Sequence, residues 1–180
     1  TGTVYDYYDD RVNMFTVDAN NLVSKNFYVK NRYDQVFICL GNNRDVASTV
    51  EPQLSPGTFD STFLIQTSDG YKWKFLYSID AGIKQKFLDE NWMPVPVGFN
   101  VPNPTLNSVA EGQIDVINIT TVGQGYQSGG VDVVITGDGT GANGSPVINA
   151  AGYLTDMVMT SVGSGYTYAN TVITPAAGYP

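Results

Sequence analysis

The clearest pattern in the chain is an alternation of aromatic and basic side chains in residues 71–77. Every second position is aromatic, and the four residues are Tyr71, Trp73, Phe75 and Tyr77. A period of two is that of a β-strand, so the four rings are predicted to share one face, with Lys72 and Lys74 on the other. Asp69 and Gly70, just before this segment, indicate a turn.

Shorter apolar segments predict further strands. Residues 36–40 are apolar at every position, which indicates a central strand covered on both faces. Four more short strands, rich in β-branched or aromatic residues, are predicted at residues 27–29, 63–65, 114–119 and 131–135. Within the third of these the apolar phase changes after Val116, which indicates a β-bulge.

One helix is predicted, beginning after Asp80, which is a suitable N-cap. Ile83, Phe87 and Leu88 form an apolar stripe at helical spacing, and Pro94 prevents the helix from continuing. A single helix among many short strands and glycine turns predicts a mainly β protein, either a sandwich or a barrel.

Composition changes near residue 100 and predicts two regions. All 8 Phe and both Trp lie in residues 1–100, whereas most of the 19 Gly lie beyond them. Residues 95–104, where the regions meet, contain three prolines and few charges, typical of an extended linker. We therefore expect an aromatic-rich region at residues 1–100, a proline-rich linker at 101–107 and a glycine-rich region at 108–180.

The glycine-rich region contains an internal repeat. The sequence Gly-Gln-Gly-Tyr at 123–126 recurs as Gly-Ser-Gly-Tyr at 163–166, and flanking residues such as Gly112 and Gly152 recur at the same offset. Two copies are too few for a solenoid. The pattern favours two similar β-units packed together.

Charge and residue usage exclude several classes of function. The chain has 9 Lys and Arg against 17 Asp and Glu, a net charge of −8, which suits neither nucleic acid nor an anionic membrane surface. The absence of histidine removes Ser–His and Cys–His nucleophile pairs and histidine zinc ligands. Cys39 is the single cysteine, and its apolar segment favours buried packing over a reactive thiol.

Three segments invite a chemical interpretation, and a structural one is favoured for each. Residues 139–144 match a Gly-x-Gly-x-x-Gly phosphate loop, but a strand-like segment follows where a helix is needed. Asp138 offers a single carboxylate for calcium. The cluster of Asp6, Asp9 and Asp10 lies beside Arg11 and favours surface charge or an interface patch. We therefore expect no enzyme activity, no cofactor and no metal.

The aromatic stripe has two interpretations, a sugar-stacking platform or a face buried in the core or a protein interface, and the second is favoured. Gly125 and Gly165 are expected to occupy equivalent turns with positive φ, each followed by a tyrosine that packs back on its own β-unit. Eight residues are thus predicted as structural anchors: Tyr71, Trp73, Phe75, Tyr77, Gly125, Tyr126, Gly165 and Tyr166.

Several segments together resemble a known family. In order these are residues 7–11 (Tyr-Tyr-Asp-Asp-Arg), 27–29, 36–40, 69–77 (Asp-Gly-Tyr-Lys-Trp-Lys-Phe-Leu-Tyr) and 93–96. The series resembles the baseplate wedge subunit, the eighth gene product, of contractile-tailed, T-even-like bacteriophages in its cyanophage version. The Gly-x-Gly-Tyr repeats resemble β-repeats appended to many phage tail proteins.

The resemblance implies a structural, non-enzymatic virion protein. It implies a layered antiparallel β-sandwich for residues 1–100, truncated at the N-terminus, and assembly as a homodimer with other baseplate wedge proteins. The protein would be assembled in the host cytoplasm and reside in the tail baseplate, where it would hold its neighbours together during assembly and contraction.

Two other functions compete with this one. The first is a carbohydrate-binding module of a phage tail protein that contacts host glycans, with the Gly-Tyr loops as its ligand surface. The second is a glycoside hydrolase, which would need a carboxylate pair about 5–9.5 Å apart in an open cleft. The sequence contains no evident pair.

Overall fold

A computed structural model describes residues 2–55, 64–90, 92–95 and 112–176. The chain divides into two compact units, Thr1–Ser108 and Val109–Pro180, here called unit 1 and unit 2. The proline-rich linker predicted at residues 101–107 lies outside the described residues. The mainly β prediction is confirmed, because the described residues form antiparallel sheets with one short helix.

Unit 1 is built on a four-stranded antiparallel sheet. Its strands are β1 (Tyr28–Lys30), β2 (Gln35–Asn42), β3 (Leu64–Gln66) and β4 (Tyr71–Ser78). Their order in the sheet is β1-β2-β4-β3, so β2 and β4 are central. Val36, Phe37 and Cys39 of β2 have no exposed surface, which confirms the prediction of a strand covered on both faces.

The main core of unit 1 joins the aromatic face of the sheet to the N-terminal segment. Tyr5, Tyr7 and Tyr8 pack from that segment against the buried cluster. The cluster itself consists of Met14, Phe27, Phe37, Ile38, Cys39, Tyr71, Trp73 and Phe75. Irregular chain thus covers one face of the sheet, an arrangement consistent with a layered sandwich.

Tyr77 departs from the predicted stripe. The pairing of β2 with β4 shifts between Val36 and Phe37, which face Tyr77 and Phe75 respectively. A one-residue slip in register exchanges the two faces of a strand. Tyr77 accordingly packs in a second cluster with Val36 and Ile79, rather than with Phe75 and Trp73.

Helix α1 spans Ala81–Phe87 and begins where it was predicted, with Asp80 as N-cap accepting a 2.8 Å bond from the Gly82 N–H. Its apolar stripe is only partly used. Leu88, just beyond the helix, packs on the second cluster, whereas Ile83 and Phe87 are 43% and 60% exposed. No residue of α1 is buried in the described structure.

Unit 2 is organised around one long, interrupted β-ribbon. Strands β5 (Val131–Gly137) and β6 (Thr140–Ile148) run out, and β7 (Leu154–Ser164) and β8 (Ala169–Pro175) return. β5 pairs with β8 and β6 pairs with β7, both antiparallel. The interruption on the outgoing side is Asp138 and Gly139.

The strand predicted at residues 114–119 is wrong as a regular strand. The Ile114 N–H donates to the Val162 carbonyl, and the Leu154 N–H donates to the Gly123 carbonyl. Residues 112–126 therefore run antiparallel along β7, but with only scattered hydrogen bonds. The change of apolar phase after Val116 gives the physical reason, since a continuous ladder needs unbroken alternation.

The two repeat copies interlock through reciprocal contacts. The Tyr166 N–H donates to the Gly112 carbonyl, and the Tyr126 N–H donates to the Gly152 carbonyl, over 3.1 and 3.0 Å. Gly112 and Gly152 are equivalent in the repeat, as are the two tyrosines. Each copy thus binds the other by the same contact. The Val-Ile-Thr sequence at 134–136 also recurs at 172–174, and its first residues, Val134 and Val172, are direct partners across β5 and β8.

Candidate functional site

The aromatic stripe of β4 lies inside unit 1. Tyr71 and Trp73 have no exposed surface, and Phe75 and Tyr77 are each 7% exposed. The Tyr71 and Trp73 rings stack 5.4 Å apart at 16°, and Tyr5 meets Trp73 edge to face at 5.2 Å. Rings enclosed in this way are not a platform for sugar stacking.

The tyrosine hydroxyls of the stripe tie the sheet to distant chain. Tyr71 donates to the Val46 carbonyl over 2.7 Å and accepts a 3.3 Å bond from the Tyr5 N–H. Tyr77 donates to the Pro94 carbonyl over 3.1 Å. Each ring therefore contributes both apolar area and a hydrogen bond that fixes an irregular segment.

Asp69, in the turn between β3 and β4, joins that turn to the loop at residues 48–50. Its Oδ2 accepts bonds from the Thr49 and Val50 N–H groups over 2.7 and 2.9 Å, and its Oδ1 accepts the Thr67 hydroxyl. Burial raises the pKa of Asp69, but these hydrogen bonds to the ionised form outweigh it and lower the pKa to about 2. The carboxylate is a structural link.

The acidic cluster near the N-terminus does not converge. Asp9 forms a two-bond ion pair with Arg11, at 2.8 and 2.9 Å. Asp6 instead accepts a 2.8 Å bond from the Asn26 N–H and a 3.1 Å bond from Lys25 Nζ. Each of these two carboxylates is occupied with its own partners, so neither faces the other as an acid–base pair.

Cys39 is buried, as its apolar segment predicted. Burial raises the pKa of its thiol to about 12, and its Sγ lies 3.6 Å from the Gly41 carbonyl oxygen. A thiol in this setting remains protonated and packs as a small apolar group.

The glycine loop of unit 2 is not a phosphate site. Residues 140–148 form β6, so the helix that a dinucleotide loop requires does not follow. Asp138, which immediately precedes the glycine loop, accepts the Thr167 hydroxyl and the N–H groups of Thr167 and Tyr168. Those bonds, the Thr167 hydroxyl first, lower the pKa of Asp138 to about 2. Asp138 thereby joins the two sides of the ribbon at its interruption.

The predicted anchors of the repeats lie in equivalent turns. Gly125 and Gly165 have φ of 94° and 75°, in the left-handed region expected for them. The tyrosine rings then lie over glycines of their own copies: a Cβ added to Gly123 would lie 2.7 Å from Tyr126 Cε2, and one added to Gly163 would lie 2.8 Å from Tyr166 Cε2. Each ring thus packs on its own copy as expected, and each tyrosine is half-buried rather than enclosed.

An ordered hairpin near the N-terminus carries exposed apolar side chains that the sequence analysis did not single out. In this hairpin, residues 15–24, Asp18 accepts the Asn20 and Leu22 N–H groups, and the Ser24 N–H donates 2.8 Å to the Thr16 carbonyl. The exposed side chains, all more than half accessible, are Phe15, Val17, Leu22 and Val23. The polar turn between Val17 and Val23 was the available sequence signal.

Unit 1 also has a cleft that was not foreseen. Its volume is about 460 Å³, and it lies between the N-terminal residues 2–5, the loop 48–52 and Trp73. Arg32 and Glu51 line it as an ion pair, with Arg32 Nε 2.6 Å from Glu51 Oε2. The Arg32 backbone N–H, donating to Glu51 Oε1, and that guanidinium hold the pKa of Glu51 below its usual value. The two partners are 19 residues apart, so no local motif reveals them.

Within the described ranges, no three His, Cys, Asp or Glu side chains come together as a group that could hold a metal ion. In the same part of the chain, no helix combines the length and apolar character needed to cross a membrane. Comparisons of the whole chain with family models, with curated proteins and with solved structures gave no match.

Proposed function

We propose that this chain is a structural subunit of the tail baseplate wedge of a contractile-tailed bacteriophage, where it holds neighbouring baseplate proteins in place. The order and spacing of the segments in residues 7–96 support the proposal through their resemblance to that family. The observation that carries it in the structure is hairpin 15–24, which presents four large apolar side chains to solvent on a hydrogen-bonded backbone. Ordered, exposed apolar groups are typical of protein interfaces.

The polar groups of unit 1 support a scaffold role. Asp6, Asp69 and Glu51 each accept bonds that join segments distant in sequence, so their charges are already used in holding the fold. Such a unit transmits force to neighbours through its surface and keeps its own shape. During contraction, switching would then occur at interfaces between subunits.

We also propose that the homodimer contact lies in unit 1. Unit 2 carries five acidic and no basic side chains, so copies of it repel one another, less strongly as salt is added. Residues 1–86 are nearly neutral and carry the exposed hairpin. Obligate interfaces are the more apolar ones, which favours unit 1.

The test is reconstitution with the wedge proteins encoded beside this chain. The full chain is mixed with each of them, and complexes are measured by size-exclusion chromatography with light scattering. A stable complex, and a mass of two copies for the chain alone, is expected. Phe15→Ser with Leu22→Ser should weaken one or both associations.

Val134→Ser is the matched control, because Val134 is 48% exposed but lies on β5 of unit 2. It should leave both associations unchanged. A chain that binds none of the wedge proteins would contradict the structural role. If the control and the hairpin variant lose association equally, the contact does not lie on hairpin 15–24.

The competing glycan-binding function receives less support at the residues first considered for it. The β4 rings are enclosed, and Tyr126 and Tyr166 are packed over glycines. A glycan array probed with the full chain tests this alternative directly, and binding abolished by Tyr126→Ala but preserved in hairpin variants would favour it.

A further inference from the structure

The indole N–H of Trp73 is buried and has no hydrogen-bond partner among the residues that the structure describes. Buried donors are paired in nearly all proteins, and one left alone costs free energy, so an unpaired one points to a missing acceptor. Trp73 also lines the cleft between residues 2–5 and 48–52. The unpaired donor and the cleft therefore belong to one place in unit 1.

The backbone around the cleft is held by hydrogen bonds before any ligand arrives, which leaves the side chain of Tyr5 as the part of the lining that moves. The Ser48 N–H donates 2.8 Å to the Thr3 carbonyl, which joins two walls. Asp69 holds the N–H groups of Thr49 and Val50, and Asn31 Nδ2 donates 3.0 Å to the Pro52 carbonyl. A cleft whose backbone is held at several points loses little entropy when it binds.

The lining selects a neutral ligand with many hydroxyl groups. Arg32 and Glu51 cancel each other's charge, so an anion would meet the carboxylate and a cation the guanidinium. Both groups are planar. The guanidinium supplies N–H donors and the carboxylate supplies acceptors, so together they can hydrogen-bond to adjacent hydroxyl groups of a ligand. Tyr5, Val29 and Pro52 add apolar surface for the C–H groups of a ring. A volume of about 460 Å³ is within the usual range for small-ligand sites.

We propose that this cleft binds a neutral sugar, with one sugar oxygen accepting the Trp73 N–H. This goes beyond the scaffold role and uses a surface separate from hairpin 15–24. Because the indole nitrogen is enclosed, binding has to displace a neighbouring side chain. Tyr5 is that neighbour, since it contacts Trp73 edge to face and also lines the cleft.

The test uses Trp73 as its own reporter. The chain has two tryptophans, and Trp92 is 74% exposed, so Trp92→Phe in the full chain leaves Trp73 as the single tryptophan. Glucose, galactose and N-acetylglucosamine are titrated, with glucuronate and inorganic phosphate as charged comparisons. We expect a saturable change in emission for at least one neutral sugar, at roughly millimolar concentration, and none for the anions.

Variants identify the cleft as the site. Arg32→Met and Glu51→Gln should each weaken binding about tenfold or more, because each removes charged hydrogen-bonding capacity. Arg11→Met is the control, since Arg11 forms a similar pair with Asp9 outside the cleft. It should leave the affinity unchanged.

Three results would overturn the proposal. The first is no saturable response to any neutral sugar. The second is an equal loss of affinity in Arg11→Met and Arg32→Met, which would place binding elsewhere. The third is a crystal structure with sugar in the drop in which only water accepts the Trp73 N–H.

Discussion

In unit 1 large side chains fill the space between the sheet and the N-terminal segment, whereas in unit 2 backbone segments approach one another with little side chain between them. Among the described residues, eleven buried apolar side chains lie in unit 1, but only Leu154 and Met157 in unit 2. In unit 2, by contrast, glycines pack directly against tyrosine rings and against the backbone of neighbouring segments. The comparison shows that the same antiparallel pairing is stabilised in one case by side-chain burial and in the other by close backbone contact.

The largest effect should come from removing the central ring of unit 1. Trp73→Ala should lower the free energy of unfolding by about 3–5 kcal/mol, because it leaves a cavity between Tyr71 and Phe75. The measurement is urea denaturation followed by far-UV circular dichroism. Trp92→Ala, at the 74% exposed tryptophan, should change stability by less than about 0.5 kcal/mol. Similar losses in both variants would mean that burial of Trp73 does not stabilise unit 1.

In unit 2 the corresponding effect should follow from a glycine. A Cβ on Gly163 would lie 2.5 Å from the Ala142 nitrogen, and the residue has φ of 64°. Gly163→Ala should therefore cost about 3 kcal/mol, through strain and overpacking together. Gly125→Ala should cost only about 1 kcal/mol, since nothing lies within 4 Å of its added Cβ.

Hydrogen exchange of the amides in residues 140–164 measures this difference, with the β2 amides of unit 1 as internal reference. In the same measurement, Gly165→Val should lower the stability of unit 2 more than Gly165→Asn, because asparagine tolerates the left-handed region better than a β-branched residue. Equal protection in Gly163→Ala and Gly125→Ala would contradict the account of unit 2 as a close backbone packing.

Acid should weaken both units in the same window but through different links. Asp69 in unit 1 and Asp138 in unit 2 have pKa values lowered to about 2. A lowered pKa gives stability that is complete above the unfolded value near 4 and is lost as the pH falls from about 4 to about 2. Tryptophan emission follows unit 1, which holds both tryptophans, and amide exchange follows unit 2.

Asp69→Asn should flatten this acid dependence in tryptophan emission and leave that of β6 and β7 unchanged, and Asp138→Asn should do the reverse. Neither variant is expected to unfold the chain at pH 7, because the asparagine side-chain oxygen can still accept part of these hydrogen bonds. An unaltered pH profile in both variants would assign the acid sensitivity to other carboxylates.

The smallest effect is expected at Cys39. Burial raises its thiol pKa to about 12, so a thiol reagent at pH 8 should not label the folded chain. Labelling should begin only in urea, at the midpoint for unit 1. Rapid labelling in buffer would show that the core of unit 1 opens far more easily than its packing indicates.

The sequence predicted the positions of individual strands and of the helix better than it predicted which distant segments they contact. The alternation at 71–77 and the apolar run at 36–40 fixed two central strands, and Asp80 located the helix, since these depend on neighbouring residues. The register shift that separates Tyr77 from Phe75 depends on β2, some 40 residues away, and no local pattern encodes it. The cleft was missed for the same reason, because Arg32, Glu51 and Trp73 meet only after the sheet has formed.

The reciprocal contact between Gly112 and Tyr166 and between Gly152 and Tyr126 has a consequence for how such a unit arises. Each copy supplies what the other lacks, so a single copy would have to find its tyrosine and its glycine on a second chain. An ancestor with one copy would then have been an obligate pair of chains. Duplication within the gene would join the two copies covalently. Afterwards each copy could diverge freely only at residues that do not contact the other copy.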